Sequence, residues 1–324
     1  MLFKNSLLSV WTSMFLATAI FAADPGSPIP TGATNDQQPG SALVYNLYAS
    51  SATDPAQDTK IAITNTSARQ SVPAHLFFVD GVNCSVGDAY ICLTPNQTFS
   101  FLASDIDPGI TGYIIAVASD TVTGLPIGFN FLIGDVHVKL VSGHEAKLNA
   151  EGFQAMFQGP IETDNPFLAT LDFDGAEYSK AARVLALDHI PSRGDGNRTM
   201  LVVNSLNGNL ATGATSLGAL FGILSDDTEN LFSFTASGAC QLKQILSDDF
   251  PVTTPKFTTV IPPGRTGWLK ILPTQDRAIS GAVINLARRP GKERNAFNGG
   301  SNLHRLTNTT GASSLTIPVF PPTC

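Results

Sequence analysis

Residues 108–114 read Pro-Gly-Ile-Thr-Gly-Tyr-Ile, and 155 positions later residues 263–269 read Pro-Gly-Arg-Thr-Gly-Trp-Leu. Pro followed by Gly sets a tight turn. The second Gly opens a strand, and the aromatic after it is expected to enter a core. Weaker echoes accompany this pair. Phe129-Asn130 matches Ile284-Asn285 at the same offset, Ile63-Thr64-Asn65 matches Val202-Val203-Asn204 at 139, and Leu43-Val44 matches Val184-Leu185 at 141. The chain therefore reads as one unit used twice. The second copy carries an insertion of about 15 residues within Asp226–Pro255, where Cys240 lies.

Working outward, short runs rich in Val, Ile, Phe, Tyr and Thr alternate with turn residues. The first set is Ala42–Ala49, Lys60–Thr66, Val72–Val79, Thr98–Leu102, Tyr113–Ala118 and Ile127–Ile133. The second is Phe167–Phe173, Arg183–Leu187, Met200–Val203, Ala219–Leu224, Leu231–Thr235, Trp268–Ile271 and Ala282–Leu286. Such spacing is that of an antiparallel β-sandwich. His75–Val79 is apolar on both faces and reads as a central strand. One helix is expected: Ser142-Gly143-His144-Glu145 has the form of a capping box, and Ala146, Ala150, Phe153 and Phe157 follow at helical spacing. The fold class is all-β, with two tandem Ig-like antiparallel β-sandwiches joined by a short helix.

The expected organisation is a signal peptide over 1–22, a Pro/Gly-rich leader over 23–40, a sandwich over 41–141 and a helical linker over 142–160. A second sandwich covers 161–287, and a tail with a terminal strand covers 288–324. The signal peptide rests on Lys4, the apolar run Leu7–Phe21 and the small residues Ala22 and Ala23. The run is polar-interrupted and short for a span, and the mature chain shows no transmembrane segment. Its removal takes Lys4 and no acid, so the net charge moves from −7 to −8.

Among 324 residues, Lys plus Arg is 19, Asp plus Glu is 26 and charged residues make up 14%. That acidic balance, without a basic stripe, argues against nucleic-acid binding. Hydrophobic residues at 43% supply ample core and argue against general disorder. All four cysteines, Cys84, Cys92, Cys240 and Cys324, lie in the part expected to be exported, so disulfides are expected. Cys84 and Cys92 flank the turn formers Gly87 and Asp88 and are expected to staple a hairpin, leaving Cys240 for Cys324.

Catalytic arrangements are sparse. No Gly-x-Ser-x-Gly elbow occurs, and His144-Glu145 lacks a second histidine because residue 148 is Leu. Asp172-Phe173-Asp174-Gly175 falls short of a calcium loop and reads as a strand running into a turn. Asp105 and Asp107, with Asp120, are weak candidate ligands for Ca²⁺; turn aspartates are the simpler reading. Arg193-Gly194-Asp195 spells an adhesion tripeptide but suits a turn. His75 reads as a hydrogen-bonded core residue. Sequons stand at Asn65, Asn83, Asn96, Asn197 and Asn308 and matter only where the host glycosylates. Trp11 leaves with the signal peptide and Trp268 matches Tyr113 as a core position, so no tryptophan platform for sugars is visible, which leaves Phe and Tyr as the side chains able to supply one. No cofactor is expected.

The segments HLFFVDG (75–81), LTPNQTFSFLASDIDPGITGY (93–113), FNFLIGD (129–135) and IPPGRTGWLK (261–270) resemble a family of uncharacterised secreted bacterial proteins. Asn65-Thr66-Ser67 and Pro95-Asn96-Gln97-Thr98 are similar in phrasing to bacterial Ig-like or fibronectin-like surface modules. The resemblance spans most of 41–324. It implies a sandwich fold and an envelope or extracellular setting, and it brings no site residues.

The expectation is an exported, non-catalytic structural or adhesive protein of the bacterial envelope or extracellular matrix, secreted, periplasmic or at the cell surface. A glycan- or Ca²⁺-binding module is the first alternative and a secreted hydrolase the second. The terminal strand Ser314–Phe320 either covers an edge of its own chain, locked by Cys240–Cys324, or adds to a neighbour's sheet, giving self-association or attachment to a cell-surface component.

Overall fold

The computed structural model describes residues 36–287, 296–311 and 313–323. The expected signal peptide and most of the leader lie outside these, as does Cys324. The regular secondary structure of the described residues is almost all β-strand, paired nearly everywhere antiparallel. Its one α-helical turn is Phe257–Val260, and short 3-10 turns lie at Ala103–Asp105 and Arg193–Asp195. No helix among the described residues is long and apolar enough to cross a membrane.

The N-terminal strands are β1 (Ala42–Ala49), β2 (Asp58–Asn65), β3 (Val72–Asp80), β4 (Val86–Leu93) and β5 (Thr98–Leu102). They continue with β6 (Thr111–Ala118), β7 (Leu132–Lys139), β8 (Glu145–Asn149) and β9 (Glu151–Phe153). After β10 (Leu168–Asp172) come β11 (Ala182–Pro191), β12 (Thr199–Ser205), β13 (Gly208–Asn209), β14 (Gly213–Ala214) and β15 (Gly218–Asp226). Then follow β16 (Leu231–Gly238), β17 (Gln241–Ile245), β18 (Thr266–Pro273) and β19 (Ile279–Asn285). The last are β20 (Gly299–Asn302), β21 (His304–Asn308) and β22 (Ser314–Pro318).

The N-terminal strands form a five-stranded sheet, β4-β3-β6-β1-β9, and a four-stranded sheet, β5-β2-β7-β8. The C-terminal strands form β16-β15-β18-β11-β21 and β17-β12-β19-β20, the same order strand for strand. The ladders agree in detail. Tyr45 opposes Ile114 and Tyr48 opposes Gly112 across a bulge; Leu187 opposes Leu269 and Ile190 opposes Gly267 across a bulge at the matching place. Asp80 opposes Gly112, as Asp226 opposes Gly267. Each of these aspartates caps the turn after its strand: Asp80 Oδ1 accepts from the Val82 amide at 2.7 Å and Asp226 Oδ1 from the Thr228 amide at 2.9 Å. Hydrogen bonds from Asn230 and Thr228 hold the Asp226 carboxyl down to about 2.

The Pro-Gly-x-Thr-Gly segments occupy matching positions, since β6 opens at Thr111 and β18 at Thr266. The other echoes do not. Matching ladders place Leu43 with Leu185 and Ile63 with Val203, one residue beyond the echoed pairs. Asn130 precedes β7, whereas Asn285 ends β19. A one-residue slip exchanges the two faces of a strand, and runs of Val, Leu and Ile carry too little identity to fix it.

The expected helix over 142–160 is not formed. Ala146, Leu148 and Ala150 are buried while Glu145 and Lys147 are exposed, a period of two that belongs to a strand. This stretch supplies β8 and β9. Residues after 287, expected as a tail, supply β20 and β21 in the same way.

Three cores organise the molecule. Leu43, Leu76 and Ile114 of the N-terminal five-stranded sheet share one with Ile61, Val136 and Leu148 of its four-stranded partner. Met200, Val202, Ala282 and Ile284 of the C-terminal β12 and β19 join that same core, while their neighbours Leu201, Val203 and Val283 enter the C-terminal one. The sheet containing β12 is therefore buried on both faces, which fuses the two halves. The third core lies on the other face of the N-terminal five-stranded sheet. Phe77, Val79, Tyr113, Ile115 and Val117 pack there against Ala169, Leu171, Leu315 and Ile317 of β10 and β22.

The terminal strand β22 thus pairs within its own chain, antiparallel to β10 and parallel to β13. Cys84 is bonded to Cys240, not to Cys92. Cys84 sits in the turn before β4 and Cys92 near the far end of that strand, about 25 Å along an extended chain. A disulfide requires Cα atoms within about 7 Å, and the Cα atoms of Cys84 and Cys240 are 5.4 Å apart. The expected Cys240–Cys324 pairing is excluded by the same bond. Cys92 is disulfide-bonded as well.

Candidate functional site

The N-terminal five-stranded sheet has its outer face covered by β10 and β22. The matching face of the C-terminal sheet has no such cover among the described residues. On it stand Phe221, Ile223 and Ser225 from β15 and Trp268, Lys270 and Leu272 from β18. Register pairs Ser225 with Trp268, Ile223 with Lys270 and Phe221 with Leu272. Ser233 and Thr235 of β16 oppose Ile223 and Phe221 from the other side. At the opposite margin Asp188 and His304 form an exposed ion pair at 3.4 Å.

The matching ladders allow a position-by-position comparison. Trp268 stands where Tyr113 stands, Lys270 at Ile115, Leu272 at Val117, Ser225 at Val79, Ile223 at Phe77 and Phe221 at His75. Tyr113 is wholly buried and donates to the Ser205 carbonyl at 2.7 Å. Trp268 is half-buried, which corrects its expected place in the core. Lys270 Nζ lies 5.2 Å from the centre of the Trp268 indole, a cation–π contact. Ser225 is buried and its hydroxyl has no hydrogen-bond partner. Two apolar positions of the covered face, Ile115 and Val79, are thus a lysine and a serine on the open one, and both adjoin the indole.

Glycines place these strands. Gly109 and Gly264, with φ of 88° and 78°, make the two turns. A Cβ on Gly112 would lie 1.8 Å from the Val79 carbonyl oxygen, and one on Gly267 2.6 Å from that of Ser225.

The other sequence candidates serve the fold. Asp105 accepts from the Leu102 amide and Asp107 from the Tyr48 hydroxyl, both ahead of β6. Asp120 lies beyond the other end of that strand and caps Val122 and Thr123, so the three do not converge. No group of His, Cys, Asp and Glu among the described residues could hold a metal ion. In the Arg193-Gly194-Asp195 turn, Asp195 accepts from the Gly264 amide at 2.9 Å and Arg193 donates to the Leu246 carbonyl. His75 is buried, its Nε2 2.8 Å from Asp88 and its ring stacked on Tyr90. Burial holds this imidazole below its ordinary value, opposed in part by the Asp88 hydrogen bond. Tyr90, itself pushed up to about 12 by burial, donates to the Phe320 carbonyl and so fastens the segment after β22.

A polar network that sequence reasoning missed joins the halves. Glu151 pairs with Arg305, both nearly buried, and accepts from Asn46 Nδ2 at 2.7 Å. Asn204 donates to the Asn46 carbonyl, and Gln241 donates to Asn204 Oδ1. These residues are far apart in sequence and share no motif. A cavity of about 420 Å³ on the β5-β2-β7-β8 sheet carries two carboxylates. Asp36 accepts from Asn302 and Asp135 pairs with Lys147.

A scan against protein-family models gave no match to this chain, and neither did searches of curated proteins and of solved structures.

Proposed function

We propose that the chain is an exported, non-catalytic structural or adhesive protein of the bacterial envelope or extracellular matrix, built as two tandem Ig-like β-sandwiches that arose from one repeated unit. The identical strand orders and matching bulges support the repeat. The observation that carries the role is the open outer face around Trp268, presented on a body whose halves are fused by a shared core and a disulfide. Disulfides belong to oxidising compartments, which supports export through the segment 1–22. The polar side chains of the sequence candidates cap turns and join strands, so they support architecture and not turnover.

The test is expression of the whole chain in a bacterium, with N-terminal sequencing of the product and thiol labelling of intact cells. The expected product begins near Ala23, lies outside the cytoplasm and has no labelled cysteine. A product that keeps residues 1–22 in the cytoplasm with reduced thiols overturns the reading.

A further inference from the structure

We infer that β16 (Leu231–Gly238) is a docking edge for a second copy of this chain, which pairs with it antiparallel about a two-fold axis and joins two five-stranded sheets into one. This contact goes beyond the proposed role and does not depend on export.

β16 is the end strand of its sheet. All eight of its residues pair with β15 without a bulge. Among the described residues no strand lies on its other side, and no loop or turn bonds its backbone there; the Ser216 hydroxyl reaches the terminal Gly238 carbonyl. Phe232, Phe234 and Ala236 pack into the C-terminal core. The Phe234 ring lies over Gly222, where a Cβ would meet it at 2.1 Å. The strand is therefore anchored in register while its edge stays open.

An edge strand without charge, proline or bulge is a template for another strand, and proteins block such edges. The matching edge of the N-terminal sheet is blocked. Equivalent ladders place Asp88, Tyr90 and Cys92 of β4 where β16 has Ser233, Thr235 and Ser237. Asp88 pairs with His75, Tyr90 holds Phe320 of the segment after β22, and Cys92 is disulfide-bonded. On β16 all three are small hydroxyl residues, each exposed.

A second copy suits this edge. A two-fold axis sets a strand against its own reverse, so a charged edge meets its own charge. Charges stand on the edge strands β4 (Asp88), β17 (Lys243), β8 (Glu145, Lys147) and β21 (Arg305). β5 and β20 carry none but have five and four residues, and shortness is itself a protection. Centred on Phe234, the pairing sets Phe232 opposite Ala236 and Ser233 opposite Thr235 of the second copy, large against small and hydroxyl against hydroxyl. The turn before β16, with Asp226, Asp227 and Glu229, selects the direction. A parallel pair would bring the two acidic turns together. The antiparallel pair holds them about 35 Å apart, beyond the reach of screened charge. The strand pair alone is a small contact, so a reversible dimer in the micromolar range is expected.

The whole chain is followed by sedimentation across about 1–100 μM. A reversible dimer is expected, with amide exchange in β16 slowing as concentration rises. Ser233 and Thr235 are exposed, and the matching strand carries Asp88 in the place of Ser233, so charges there leave the fold intact. Ser233→Asp with Thr235→Asp is expected to raise the dimer dissociation constant about tenfold or more, and so is Ser233→Lys with Thr235→Lys. An equimolar mixture of the two double variants is expected to dimerise again, since each acid then faces a lysine. A monomer throughout the range overturns the inference; slow exchange of β16 in that monomer would assign the edge to a segment of the chain itself. A dimer that both double variants leave intact overturns it as well, and loss of that dimer in Trp268→Ala would move the contact to the open face. A dimer broken by both double variants and not restored by mixing overturns the antiparallel two-fold pairing.

Discussion

Tyr113 and Trp268 occupy matching register positions in two sheets of identical strand order, and only Tyr113 is wholly buried. The difference lies outside their own strands. Tyr113 is roofed by β10 and β22, which flank the C-terminal strands in sequence yet cover the N-terminal sheet. One face is consumed as core and its counterpart is left at the surface.

The two glycines at the openings of β6 and β18 are predicted to differ in tolerance. Gly112→Ala drives a Cβ to 1.8 Å from a backbone oxygen and is expected to cost about 3 kcal/mol, the upper end for overpacking. Gly267→Ala meets its nearest atoms at 2.6 Å and is expected to cost less. Urea unfolding of both variants measures the order, and an equal loss contradicts it.

Removing one partner of the Glu151–Arg305 pair is predicted to be severe. Glu151→Ala leaves Arg305 charged and buried, at a cost of about 3–5 kcal/mol, and removes one of the two acceptors of Asn46 Nδ2, leaving Asn302 Oδ1. Replacing both, Glu151→Gln with Arg305→Met, is expected to recover much of the loss. A double-mutant cycle in denaturant reads the coupling.

Acid sensitivity is predicted to reside partly at His75. Its folded value lies below 6.5, so as pH falls through that point the unfolded chain binds the proton first. The contribution is complete above about 6.5 and is lost as pH falls toward the folded value. The matching position in the other sheet is Phe221, so a phenyl ring fits this place in the fold. His75→Phe is expected to raise the melting temperature relative to the native chain more at pH 5 than at pH 8. Calorimetry at the two pH values checks this; a uniform shift denies it.

The Cys84–Cys240 bond closes a separation of 156 residues. Cys84→Ala with Cys240→Ala is predicted to lower stability by about 2–5 kcal/mol without unfolding the sheets, since the shared core around Met200 and Ile284 remains. Denaturant midpoints and far-UV circular dichroism separate the two effects.

Much of the sheet content was legible. Ala42–Ala49 and Thr98–Leu102 stand where β-propensity and turn punctuation put them. The weaker strands were not. β4 contains Gly87 and Asp88 and buries only Ile91 and Leu93, and β8 was masked by a capping-box sequence, although its alternation of Glu145, Ala146, Lys147 and Leu148 has period two. Disulfide partners were misread because spacing along the chain ignores that a strand carries Cys92 away from Cys84. The open face was invisible: Trp268 follows the same Gly as Tyr113, and whether an aromatic there is covered depends on β10 and β22, far away in sequence.

Acrylamide quenching of a single tryptophan tests the central contrast most directly. In the chain carrying Trp11→Phe, Trp268 is expected to be quenched readily. With Trp11→Phe, Trp268→Phe and Tyr113→Trp together, the indole under β10 and β22 is expected to be shielded, with a quenching constant several-fold lower. Equal shielding at the two positions would show that the two faces are alike, and the account of one covered and one presented surface would be wrong.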